Sequence, residues 1–237
     1  MNNNLYEHGT LAMLMAGKLS GTITLAELLK HGEHGIGTLD GLDGEVIILD
    51  NEVYQADETG TVNRITDMDA TLPFASVHHA MNETTLTLPK ADFNILNDTI
   101  VKEHNFKNVF VATRFHGVFE AVKVRVAPKQ TRPYPGLLEI ASNQPIFEKQ
   151  NVSGTVIGYF APELFGTVTA GGWHLHFLSD DRQFGGHLLD FVGTNLTGTY
   201  QIFDSLEQHF PVSDPEFRAY DIDLASLQAD IQAAEGN

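Results

Sequence analysis

A chain of 237 residues, 42% hydrophobic and 19% charged, can bury a proper core without disulfide staples, which excludes wholesale disorder. Its 14 basic against 31 acidic residues give a formal net charge of −17, so phosphate backbones and anionic lipid surfaces are repelled; nucleic acid and membranes are poor partners. The absence of cysteine excludes disulfides, thiolate metal sites and cysteine nucleophiles, and leaves His, Asp and Glu as the strong metal ligands.

The N-terminus, Met1 to His8, lacks a basic segment followed by an apolar run. The longest apolar stretches, such as Gly44 to Leu49 and Asn108 to Ala112, are too short to span a bilayer, so a cytoplasmic location is expected. Thr24-Leu25-Ala26-Glu27 has the capping-box pattern, in which hydroxyl and carboxylate satisfy orphan donors at a helix start, and predicts a helix from Leu25 to Lys30. Gly35 to Leu39 reads as a glycine-punctuated strand and Leu42-Asp43-Gly44 as a turn. Glu45 to Leu49, a turn at Asp50-Asn51, and Glu52 to Gln55 form a β-hairpin pattern. From Pro89 to His104 the spacing of Phe93, Leu96, Ile100 and Val101 predicts a helix, with Pro89 in its first turn. Val109 to Thr113 and Val118 to Ala127 read as strands. In the second, Val118, Val122, Val124 and Val126 are expected to face the core, and Lys123 and Arg125 the opposite side.

Ala127 to Gly136 carries three prolines and a glycine and is the clearest break in the chain, placing a boundary between an N-terminal subdomain, 1–130, and a C-terminal one, 131–237. Beyond it come a short helix at Leu137 to Ala141, a strand around Val152 to Phe160, a histidine-rich region and a closing helix from Leu224 to Glu235, capped by Asp223 and ended by Gly236. Strands and helices in both halves give a mixed α/β or α+β class, with two sheet-containing subdomains and short helices. Gly37 to Gln55 and Trp173 to Asp190 share a strand, turn, strand pattern that hints at duplication.

The segment Ala170 to Asp190 carries the chemistry. Alternation along a strand puts His174 and His176 on one face, with Leu175 and Phe177 on the other. The polar, glycine-rich run Ser179 to Gly186 can turn the chain back, so that His187 opens an adjacent strand opposite the pair. An isolated His-x-His pair is more often a surface or core-edge pair than a ligand pair; the third histidine at the return distance raises the metal reading. Three imidazoles on a zinc-type ion leave a fourth position for substrate, the mark of a catalytic site, and Mn, Fe, Co or Ni suit the same ligands. Asp180, four residues after His176, leaves a His/His/carboxylate set open, as in a cupin-type dioxygenase. A non-enzymatic interaction module that merely keeps the pair is the other reading.

Gly172-Trp173-His174-Leu175-His176-Phe177, the Ser179-Asp180-Asp181 turn and Gly185-Gly186-His187 resemble the metal-binding signature of acetolactate decarboxylases. Gly35 to Glu45 resembles that family's N-terminal signature, preceded in order by Leu28 to Gly32, and the similarity runs from about Thr24 to the C-terminal helix. The resemblance implies an α/β fold, usually homodimeric, that converts 2-acetolactate to acetoin with Zn2+ or another divalent metal, without thiamine diphosphate or pyridoxal phosphate. It implies His174, His176 and His187 as ligands, Glu45, Arg125 and Glu235 as catalytic groups, and Thr38 as a substrate-binding hydroxyl. Without it, Glu45 reads as an edge carboxylate, Arg125 as a solvated cation with Arg114 and Lys123 as rivals, Glu235 as a solvated carboxylate and Thr38 as a β-former.

Overall fold

Strands dominate the computed structural model, which describes residues 3–221 together with 227 and 230. In chain order they are β1 (Asn4–His8), β2 (Ile23–Thr24), β3 (His34–Leu39), β4 (Asp43–Leu49), β5 (Glu52–Ala56), β6 (Val62–Ile65), β7 (Thr71–Leu72), β8 (Phe74–His78), β9 (Thr84–Ala91), β10 (Val111–Arg125), β11 (Ile146–Ala161), β12 (Gly172–Ser179), β13 (Gly185–Ile202) and β14 (Ser205–His209). Seven of them form a sheet in the order β14-β1-β8-β3-β4-β5-β6. A second sheet runs β10-β11-β12-β13-β9, and because β10 also pairs with β13, the strands β10 to β13 close into a ring. Closure satisfies backbone groups that an open edge would leave unpaired. Pairing crosses the proline-rich segment in both directions, since β10 joins the ring and β14 runs parallel to β1 in the seven-stranded sheet. No helix among the described residues is long and apolar enough to cross a membrane.

The period of two along β4 explains where the layers meet. Val46 and Ile48 pack with Leu25 and Leu28 on one side of the seven-stranded sheet, whereas Ile47 and Leu49 pack against Ala112, Ile157, Tyr159 and Leu178 from the ring. Glu45 shares the face of Ile47 and Leu49 and is therefore buried between the layers. The ring has its own core, with Phe115, Phe119, Phe177 and Phe191 among its members. The Asp50-Asn51 turn takes positive φ at both residues, 52° and 64°, a conformation that Asn and Asp tolerate and that suits a two-residue hairpin.

Several local expectations are corrected. The helix after Thr24 spans only Leu25–Leu28, although Thr24 does cap it by accepting from Glu27 N. Pro89 lies in β9, which pairs only with β13; an edge strand tolerates its missing N–H. The helix begins at Phe93 because the Asp92 side chain accepts from Ile95 N at 2.8 Å, and it continues as a π-helix, Asn97–Lys102. The two strands read at Val109 to Thr113 and Val118 to Ala127 are one, β10, paired on both sides. Its register with β13 shifts between Phe119 and Ala121, so the buried face changes from odd to even positions. Val118 is consequently 49% exposed, whereas Val122, Val124 and Val126 are buried. The helix Leu137–Ala141 stands where expected. The closing helix, Leu224 to Glu235 with Asp223 and Gly236, lies outside the described residues except at positions 227 and 230; Leu227 packs with Leu11, Leu42 and Ala170.

On β1, Glu7 is fully buried, and burial pushes its carboxyl up to about 8 while the Ser76 and Thr169 hydroxyls pull it down. The folded protein thus keeps Glu7 neutral at pH values where the unfolded chain ionises it. Stability from this group is complete below about 4.5 and declines as pH rises to about 8, at roughly a kcal/mol per pH unit. Glu7→Gln is therefore expected to raise the Tm of the metal-free protein by several degrees at pH 8 and to leave it nearly unchanged at pH 4. Parallel thermal melts at the two pH values check this; equal Tm differences at both would show that Glu7 ionisation does not limit stability.

Candidate metal centre and substrate pocket

Register assembles the site. His176 is the direct cross-strand partner of His187, and Arg125 is paired with His187 from the other side, so the three form a row across β12, β13 and β10. His174 joins them from two residues earlier on β12. Ring centroids are separated by 5.2 Å for His174 and His176, 4.9 Å for His174 and His187, and 5.7 Å for His176 and His187. One nitrogen of each ring lies within 4.8 Å of the others. The turn that returns the chain is tied by Ser179, whose Oγ accepts from Phe184 N at 3.0 Å and donates to Asp181 at 2.6 Å. At Gly186, φ is +146° and a Cβ would stand 2.9 Å from Arg125 O. Glycine is what lets β10 approach beside His187.

The electrostatics suit a cation ligand set. Burial holds His176 well below the usual imidazole range, with His174 and Arg125 adding to the effect; burial and then Arg125 do the same for His187. Both rings are neutral and carry lone pairs. His176 Nδ1 donates to Val46 O at 2.9 Å, which fixes the tautomer and leaves Nε2 as the acceptor nitrogen. That Nε2 is buried without a hydrogen-bond partner, 3.5 Å from Glu45 Oε2. Such an orphaned nitrogen is costly in a plain core but is what a metal ligand requires, so the residues fit a bound divalent ion.

Glu45 is held by a backbone clamp: Ala127 N donates to Glu45 Oε1 at 3.0 Å, and Gly44 N to Ala127 O at 3.1 Å. The clamp joins β4 to the chain just beyond Arg125. Arg125 Nη2 lies 3.3 Å from His187 Nε2. Thr38 is buried at a register shift between β3 and β4, and its Oγ1 donates to Gly44 O at 2.8 Å. Thr38, Glu45, Arg125 and the three histidines line one pocket of about 590 Å³, counting the part open to solvent. Its other walls are largely apolar: Leu11 and Leu14 from the helix Leu11–Met15, Leu137 and Ala141 from Leu137–Ala141, and Phe74. Sequence reasoning missed these walls and Gln144. The available signal was Thr10 ahead of Leu-Ala-Met-Leu-Met, and its hydroxyl does cap that helix by accepting from Met13 N.

The rival residues lie elsewhere. Asp180 pairs with His116 at 3.1 Å, both of them exposed, so it makes no His/His/carboxylate set. Arg114 contacts His34 and Asp50, and Lys123 pairs with Glu148 at 3.2 Å. Neither lines the pocket. Glu235 falls outside the described residues.

Comparison with known proteins identifies the family. The sequence profile of the alpha-acetolactate decarboxylase family matches residues 5–224. The chain is 40% identical over 235 residues to the alpha-acetolactate decarboxylase of Lactococcus lactis subsp. cremoris, with 98% of each chain covered. It is 32% identical to that of Bacillus subtilis, covering 99% of this chain and 92% of that one. The crystal structure of the B. subtilis enzyme superposes with a TM-score of 0.94 at 30% identity, covering 99% and 100% of the two chains. A Staphylococcus aureus protein of unknown function, described as similar to alpha-acetolactate decarboxylase, gives 0.94 at 39% identity, covering 98% and 100%. By sequence along nearly its whole length and by fold, the chain belongs to the alpha-acetolactate decarboxylase family.

Proposed function

We propose that the protein removes CO2 from 2-acetolactate to give acetoin, with a divalent metal ion held by His174, His176 and His187. The observation that carries this reading is the convergence of neutral imidazoles, an arginine and a glutamate on one pocket. When bound, the ion supplies Lewis acidity toward the substrate's hydroxyl and ketone oxygens, so no organic electron sink is needed. Arg125 offers a fixed fork of donors for the substrate carboxylate, supplying local positive charge in a chain of net charge −17. Cleavage of the C–C bond leaves its electron pair on the carbon that bore the carboxylate, and that carbon must take one proton. Glu45 is the donor we assign: a carboxyl exchanges protons readily, whereas a guanidinium stays charged. Its Oε1 is anchored by Ala127 N and its Oε2 faces His176, which presents the proton to one face of the substrate. Thr38 and the apolar walls position the methyl groups and exclude water.

The test is turnover of authentic acetolactate before and after chelation. Chelator-treated protein is expected to lose nearly all activity and to regain it on adding Zn2+ or another divalent transition metal. Undiminished acetoin production by protein shown to be metal-free would overturn the proposal.

A further inference from the structure

Among the described residues, five buried side-chain atoms lack a hydrogen-bond partner, and two of them belong to residues that line the substrate pocket: His176 Nε2 and Gln144 Oε1. The first faces the metal position. No protein group claims the second, and a buried amide oxygen without a donor costs stability in a plain core. Gln144 lies between the helix Leu137–Ala141 and β11. Its place is set by the sheet: Val126 N donates to Pro145 O at 3.1 Å, one step beyond the Arg125–Ile146 pair, which carries Gln144 alongside Ala127, the residue that clamps Glu45. Gln144 thus enters the pocket from the same stretch of paired backbone that positions Arg125 and holds Glu45.

On the decarboxylase reading, the substrate carries a single O–H, the tertiary hydroxyl; its carboxylate and ketone only accept hydrogen bonds. The other pocket acceptors are engaged. Glu45 Oε1 accepts from Ala127 N, its Oε2 faces His176, and Thr38 Oγ1 is turned to Gly44 O. We propose that Gln144 is a specificity-determining residue: its Oε1 accepts a hydrogen bond from the substrate's tertiary hydroxyl and selects 2-hydroxy acids over acids that lack the hydroxyl. The inference rests on the decarboxylase reading and adds to it the basis of discrimination. A buried acceptor rejects an analogue without the O–H, because that analogue shuts the acceptor off from water and leaves it unpaired. A neutral amide achieves this without placing negative charge beside an anionic substrate.

Two unreactive acids of equal charge test it: 2-hydroxy-2-methylpropanoate, and 2,2-dimethylpropanoate, in which a methyl group replaces the hydroxyl. Each is titrated into the Co2+-loaded full chain, and its Kd is read from the visible spectrum of the ion, apart from turnover. The wild type is expected to favour the hydroxy acid. Gln144→Met, which keeps the length of the side chain and removes the acceptor, should cut the ratio of the two Kd values about tenfold, the worth of one hydrogen bond, with Co2+ affinity and Tm unchanged. Gln144→Glu keeps an acceptor and adds a charge, so both acids should bind more weakly while their ratio stays near the wild-type value. An unchanged ratio in Gln144→Met, or no preference in the wild type, would overturn the proposal; an equal loss of the ratio in Gln144→Glu would assign the effect to packing and overturn it as well. Turnover of 2-acetolactate by the same wild-type preparation separates the two levels. Its absence refutes the decarboxylase reading and the inference with it, whereas normal turnover beside an unchanged ratio refutes the inference alone.

Discussion

Replacing His176 with alanine is expected to remove bound metal and turnover together. His176 is the most constrained of the three histidines: it is almost wholly buried, its tautomer is set by Val46 O, and its Nε2 is otherwise unpaired. Losing one of three protein nitrogens leaves a two-ligand site, and the Lewis acidity lost is worth several kcal/mol, on the order of a thousandfold in rate. The substitution also strips Val46 O of its donor and opens a cavity, at a further cost in stability of about 1–3 kcal/mol. Circular dichroism must therefore show a folded variant before its metal content and kcat are read. A His176→Ala protein that is folded and carries a full complement of metal would refute the ligand assignment.

Arg125→Ala is expected to show the opposite split, keeping metal while losing activity. The guanidinium lies beside His187, and its positive charge lowers the basicity of that ring. Removing it relieves repulsion toward a bound cation, so metal affinity should hold or rise. The substrate loses its charge-assisted donors, and kcat/KM is expected to fall by about a hundredfold to a thousandfold. Arg125→Lys should recover little of this, because a point charge does not reproduce two parallel N–H donors. Metal content beside kcat and KM for both variants decides the matter. Normal turnover in Arg125→Ala would remove Arg125 from the pocket's chemistry, and loss of metal in that variant would recast it as a structural support for His187.

Short-range chemistry made a good part of this protein legible from sequence. The side-chain period of two placed His174 with His176, and Glu45 with Ile47 and Leu49, on common faces without reference to any other element. The turn at Asp50-Asn51, the return at Ser179 to Gly186 and the cap at Thr24 each depend on a few neighbouring residues whose side chains satisfy or bend the local backbone. What the tertiary structure decided is non-local. Arg125 reaches His187 only because β10 pairs with a strand some sixty residues away and the ring closes. A register shift near Glu120 then inverts the face that alternation assigned to Val118. Pro89 became an edge-strand residue when Asp92 captured the helix start. Glu7, an unremarked acidic residue in the sequence, gained its neutral, buried character from β8 and the loop that carries Thr169. Periodicity and turn chemistry are set within a few residues, whereas register and burial are settled by which strands pair across the whole chain, and it is register that brings this pocket together.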